Sequence, residues 1–133
     1  MKKHILVLIA AIAITATTFA QSNASASIKV SFAFKGIEDG YDHTNYCAVF
    51  IDGVKVGESS KQVESKKNSF KVKTTQGEHD VKIINYTEYQ GNWEEHTIEN
   101  TYSIDCMYAE TMKLKKKNKI GLLFDLDSGI EVK

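Results

Sequence analysis

The chain has 133 residues, with 17 Lys balanced against 17 Asp and Glu, four His, two Cys, and neither Arg nor Pro. That is the length of one domain, and the even charge balance excludes a dedicated nucleic-acid binder, which needs a positive surface. Without Arg there is no planar fork to grip phosphate or guanine edges bidentately.

The amino terminus reads as an export signal. Met1-Lys2-Lys3 is a short positive start, and Ile5 to Ile14 is an uninterrupted apolar run too short for a comfortable membrane span. Small residues follow, with Thr18 and Ala20 placed for cleavage after Ala20. Residues 1–20 are therefore read as a cleaved signal peptide, which makes the product periplasmic or extracellular. Cleavage takes Lys2 and Lys3 and leaves 113 residues with 15 Lys against 17 acidic side chains, a slightly acidic product without a membrane span. Residues 21–27, rich in Ser, Ala and Asn and without periodicity, are read as a disordered linker before a domain over 28–133.

From Ser27 onward the apolar period is two, which predicts strands and no long helix. Ile28, Val30, Phe32 and Phe34 alternate with polar or small residues up to Gly36. Asp52-Gly53 between two apolar runs predicts a type I′ hairpin, pairing Ile51 with Val54 and Val49 with Val56 and turning Cys47 inward. A polar stretch, Ser59 to Lys67, leads to a strand near Asn68 to Thr74 with Phe70 and Val72 inward. His79 to Tyr86 is the next strand, apolar on both faces and so central or partnered. Thr87 to Asn92 is read as a loop. The even-numbered row Ile98, Tyr102, Ile104, Cys106, Tyr108, Met112 and Leu114 predicts two strands or one broken by a bulge. Lys113, Lys115, Lys116, Lys117 and Lys119 surround Asn118 as a hairpin tip, and Lys119 to Asp125 is the last strand. The predicted fold is all-β, an immunoglobulin-like antiparallel β-sandwich of seven or eight strands.

Two Cys on inward rows of an exported chain predict one buried disulfide, Cys47 to Cys106. No common catalytic signature is present, and His43, His79 and His96 lack ligand spacing, so neither enzyme activity, cofactor nor metal site is nominated. The acidic loops Glu38-Asp39-Asp42 and Asp125-Asp127 would bind calcium if brought together with backbone carbonyls, and the second, which lacks the remaining ligands of a helix-loop-helix calcium site, is read as a turn. Glu94 and Glu95, adjacent in a strand, point to opposite faces and cannot act as a carboxylate pair. The most suggestive patch runs from Tyr86 to Glu94: Tyr86, Tyr89 and Trp93 supply ring faces for a sugar or protein, and Asn92 and Glu94 supply hydrogen bonds.

Val49-Phe50-Ile51-Asp52-Gly53-Val54-Lys55-Val56-Gly57, followed by Gly77-Glu78-His79-Asp80-Val81-Lys82-Ile83, resembles the PEGA family of envelope-associated β-sandwich modules. The resemblance spans about residues 47–86. It implies a non-catalytic extracytoplasmic accessory or interaction module, and the partner expected is an envelope protein or glycan. The alternative from the aromatic patch is a small carbohydrate-binding module that takes an envelope glycan.

Overall fold

Alternation puts one side of each strand toward a shared core, and the chain builds two sheets around it. The computed structural model describes residues 24–133, so the expected signal peptide and residues 21–23 lie outside the described residues. The strands are β1 (Ser25–Lys35), β2 (Thr44–Ile51), β3 (Val54–Glu58), β4 (Gln62–Val63), β5 (Asn68–Thr75), β6 (Gly77–Tyr89), β7 (Asn92–Glu95), β8 (Met107–Leu114), β9 (Lys117–Asp125) and β10 (Gly129–Val132). One sheet has the order β10-β9-β1-β5, and the other has β3-β2-β6-β7, with β4 added to β2 and β8 to β6. They pack face to face as a β-sandwich. Ile28, Val30 and Phe124 of the first sheet share one core with Val49, Val81 and Ile83 of the second. No helix among the described residues is long and apolar enough to cross a membrane.

The all-β class is as read from the sequence, but four details differ. Among the described residues ten strands replace seven or eight, because β4, β7 and β10 are too short to show alternation. β1 begins inside the segment read as linker, since Ser25, Ala26 and Ser27 pair with Thr75, Thr74 and Lys73 of β5. The sandwich is not wholly antiparallel, because β1 and β9 run parallel from Ser27 opposite Lys117 to Lys35 opposite Asp125. The reason is the Lys-rich segment, which is no hairpin tip but a crossover from the sheet of β8 to that of β9. Asn118 pins that crossover: its Nδ2 donates to Ser27 O and Lys115 O, while its Oδ1 accepts from Lys115 N. Finally, the row beginning at Ile98 does not start as a strand. Ile98–Asn100 is a 3₁₀ turn that leaves Ile98 58% exposed, tied by Asp105 Oδ1 accepting from Ile98 N.

The Asp52-Gly53 turn forms as predicted, with both residues at positive φ and Ile51 opposite Val54. Beyond it a bulge between Val49 and Phe50 puts Val49 opposite Gly57 rather than Val56, and Val54 and Val56 face solvent. Gly57 permits this, because a Cβ there would lie 2.7 Å from Val72 Cγ1.

The two cysteines face the core and are fully buried, but they are free thiols, which corrects the expected disulfide. Cys47 of β2 sits opposite Asn85 of β6, whereas Cys106 meets Asn85 from the other side, its carbonyl accepting from Asn85 N at 3.0 Å. Asn85 thus stands between the two cysteines, and no bond joins their sulfurs. Burial pushes the Cys47 thiol up to about 12, and the Cys106 thiol rises as well. Neither is a nucleophile at neutral pH.

Asn85 itself centres a buried polar seam. Its Nδ2 donates to Asn45 Oδ1 at 2.8 Å, its Oδ1 accepts from Thr87 Oγ1 at 3.3 Å, and Thr87 Oγ1 shares a 3.0 Å hydrogen bond with His96 Nδ1. Replacing Asn85 with Ala leaves Asn45 Oδ1 without its donor, so we expect a loss of about 1–3 kcal/mol. Urea melts of Asn45→Ala, Asn85→Ala and the double variant check it: strictly additive losses would show that the two amides do not act together.

Candidate functional site

The aromatic segment singled out in the sequence is a hairpin rather than a loop. β6 continues to Tyr89, Gln90 and Gly91 turn with φ of 50° and 82°, and β7 returns with Glu88 opposite Trp93 and Tyr89 opposite Asn92. Alternation then divides the predicted patch between two surfaces. Tyr86 and Trp93 lie on the outer face of the six-stranded sheet. Tyr89 and Glu94 line a cleft at one end of the sandwich, and Asn92 is exposed opposite Tyr89 and lines neither. Glu94 and Glu95 do part as expected, Glu94 to the cleft and Glu95 to the outer face.

On the outer face the ladder between β2 and β6 adds a residue not singled out in the sequence. Tyr46 is directly opposite Tyr86, and their rings stack at 5.0 Å with 11° between planes. Trp93 meets Tyr46 edge-on at 4.9 Å. Lys61 Nζ sits 5.9 Å from the Tyr46 ring and 5.1 Å from the Trp93 ring, and Lys55 Nζ sits 6.0 Å from Tyr46. Such contacts are attractive because ammonium charge meets the negative ring face. Partial burial raises both tyrosine hydroxyls above the ordinary phenol value. Beside Tyr86 a groove of about 620 Å³ runs over Ile84 and Ala109 between Lys82 and Glu95.

The end cleft, about 440 Å³, gathers residues from distant loops: Tyr41 and His43 after β1, Glu64 after β4, Tyr89 and Glu94 of the hairpin, and Tyr102. Glu64 is 2% exposed, and among the described residues its Oε1 has no hydrogen-bond partner. Burial, with the charge of Asp42 close by, pushes its carboxyl up to about 7. His96 lies under the Tyr102 ring at 4.3 Å, and burial, helped by His43, holds it down to about 4. Tyr102 donates to Glu94 Oε2 at 3.1 Å, and burial together with that carboxylate pushes its hydroxyl up to about 12. The cleft therefore holds one carboxyl able to exchange a proton near neutrality beside a neutral imidazole.

The other chemistry-bearing residues make structure. His79 donates from Nδ1 to Asp52 Oδ2 at 2.6 Å and so braces the Asp52-Gly53 turn. Asp42 accepts from the backbone and hydroxyl of Ser65, and Asp125 Oδ1 accepts from Asp127 N. Among the described residues no three His, Cys, Asp or Glu side chains come together as a metal-ligand set. Tyr46 was detectable in principle, since Cys47 inward implies Tyr46 outward. Glu64 was not, because it sits in a polar stretch with no periodicity. No protein-family model, curated protein or solved structure matches the chain.

Proposed function

We propose that the protein is a non-enzymatic, exported interaction module that docks an envelope protein on the outer face of its six-stranded sheet. The observation that carries this reading is the Tyr46, Tyr86 and Trp93 cluster, open on a sheet surface and overlaid by Lys55 and Lys61. Tyr and Trp dominate binding energy at protein interfaces, and a partner's carboxylate can pair with Lys61 at the rim, Lys55 being held by Glu58 at 2.8 Å. Export rests on the amino-terminal pattern of charge, apolar run and small residues.

The groove of about 620 Å³ beside Tyr86 supports a second reading as a carbohydrate-binding module, since it joins apolar Ile84 and Ala109 to the hydrogen-bonding Glu95 and Lys82. Against it, Lys61 lies over Tyr46 and Trp93, and a stacking sugar would have to displace it. Affinity capture from an envelope extract separates the two. The full chain is expected to retain a discrete protein at least about tenfold better than a Tyr46→Ala/Trp93→Ala variant. Equal retention by the variant would remove this face from the binding surface. Quenching of Trp93 fluorescence by glycans, with no protein retained, would favour the second reading.

A further inference from the structure

The end cleft has a chemistry of its own, separate from the outer face. Among the described residues its lining carries four carboxylates, Glu38, Glu64, Glu94 and Asp127, and no Lys, in a chain that has 17 Lys. Glu64 Oε1 is buried and has no partner among the described residues, although a buried carboxylate oxygen ordinarily has a donor. Two rings open to solvent at the mouth, Tyr41 at 60% and Tyr89 at 48% exposure, with His43 between them at 6.2 and 6.4 Å. Electron-rich ring faces together with carboxylates suit an organic cation and repel anions. An N–H donor also satisfies Glu64, whereas a bare metal ion would need a coordination set that the described residues do not assemble.

We infer that this cleft binds a small organic ammonium ligand, with N–H donors on Glu64 and Glu94 and its carbon skeleton against Tyr41 and Tyr89. Binding is linked to protons. Glu64 holds its proton up to about pH 7 in the free protein, and an ammonium group favours the ionised form, so complex formation near neutrality releases a proton. Asp42 acts on Glu64 directly, and Glu38, Glu94 and Asp127 line the same cleft and add negative potential that attracts the ligand; Tyr102 and Cys106, which sense the Glu64 charge, are both pushed up and stay uncharged near neutrality. His43 repels the ligand when protonated, and His96 is neutral down to about pH 4.

Calorimetric titration of the full chain with 1,4-diaminobutane tests this. Binding at about pH 8 is expected to weaken at least about tenfold at about pH 5.5, because the ionised fraction of a group titrating near 7 falls by more than that. Titrations near neutrality in two buffers of different ionisation enthalpy should show proton release by the unaltered protein. Glu64→Gln keeps the shape and removes the charge; it should lose at least about tenfold in affinity and most of the pH dependence. No heat with millimolar diamine, or an unchanged affinity and pH profile in Glu64→Gln, would overturn the assignment. No residue is shared with the Tyr46, Tyr86 and Trp93 cluster, so either result leaves the outer-face reading to its own test.

Discussion

Replacing Phe124 with Ala is expected to remove about 3–5 kcal/mol of folding stability. Phe124 is fully buried on β9, with its ring 5.2 Å from Phe34 and 6.4 Å from Phe32. β9 lies between β1 and β10, so the cavity opens where Phe34 and Ile130 flank Phe124 and where the two sheets meet. A domain of this size has about 5–15 kcal/mol in total, so the variant should unfold at a much lower urea concentration, if it folds at all. Phe124→Leu, which retains most of the volume, should lose much less. Ile98→Ala is the control. The sequence pattern counts Ile98 in the inward row, yet its side chain is exposed, so its loss should stay within about 0.5 kcal/mol. Comparable losses for Phe124→Ala and Ile98→Ala would mean that the core is not where the two sheets place it.

Glu64→Gln is expected to stabilise the protein by about 3 kcal/mol at about pH 8 and to leave it nearly unchanged at about pH 4.5. The carboxyl titrates at about 7 in the fold against 4.5 unperturbed, chiefly because it is buried. Between those values the folded state keeps a proton that the unfolded chain has released. Stability therefore falls as pH rises through this window, and the whole penalty is present above about 7. His96 works in the opposite sense. Its folded value of about 4 lies below the unperturbed 6.5, so stability falls as pH drops through that window, when the unfolded chain gains the proton. In the unaltered protein the two slopes largely cancel between about pH 4.5 and 6.5. In Glu64→Gln only the His96 slope remains, and stability should climb from acid to neutral and then level. Urea melts across this range decide it: an equal difference between variant and parent at both ends would show that Glu64 keeps an ordinary carboxylate value. An ammonium ligand in the cleft would favour ionised Glu64 and so offset part of its penalty above pH 7.

The outer face and the cleft differ in how far they were legible. Tyr86 and Trp93 were read together because they are neighbours along the chain, and the hairpin keeps them on one face. Tyr46 joins them only through the ladder that sets it opposite Tyr86, 40 positions away, and no local pattern states which strands pair. Local pattern ends the strand at Tyr86 and makes Thr87 to Asn92 a loop, which leaves the facing of Tyr89 undefined; with strand continuing through the hairpin, a period of two parts Tyr89 and Glu94 from Tyr86. Cys47 and Cys106 both face inward as the alternation predicts, although the row of Cys106 begins at Ile98, which is exposed. Local pattern does not show that both meet Asn85, Cys47 through the pairing of β2 with β6 and Cys106 through a backbone hydrogen bond.

By itself the sequence determined what short-range physics controls: the all-β class, the inward rows of β1, β2 and β5, and the positive-φ turn at Asp52-Gly53. It also set the even charge and the absence of Arg. Steric limits on φ and the alternation of side chains act over a few residues, so they can be read a few residues at a time. Tertiary structure alone decided the parallel pairing of β1 with β9, the thiol state of the cysteines and the gathering of Glu64, His96 and Tyr102 into one cleft. Each of these depends on which distant strands become neighbours, which burial of the whole core selects. The carboxyl that most shapes the chemistry of the cleft lies in the stretch that local pattern described least.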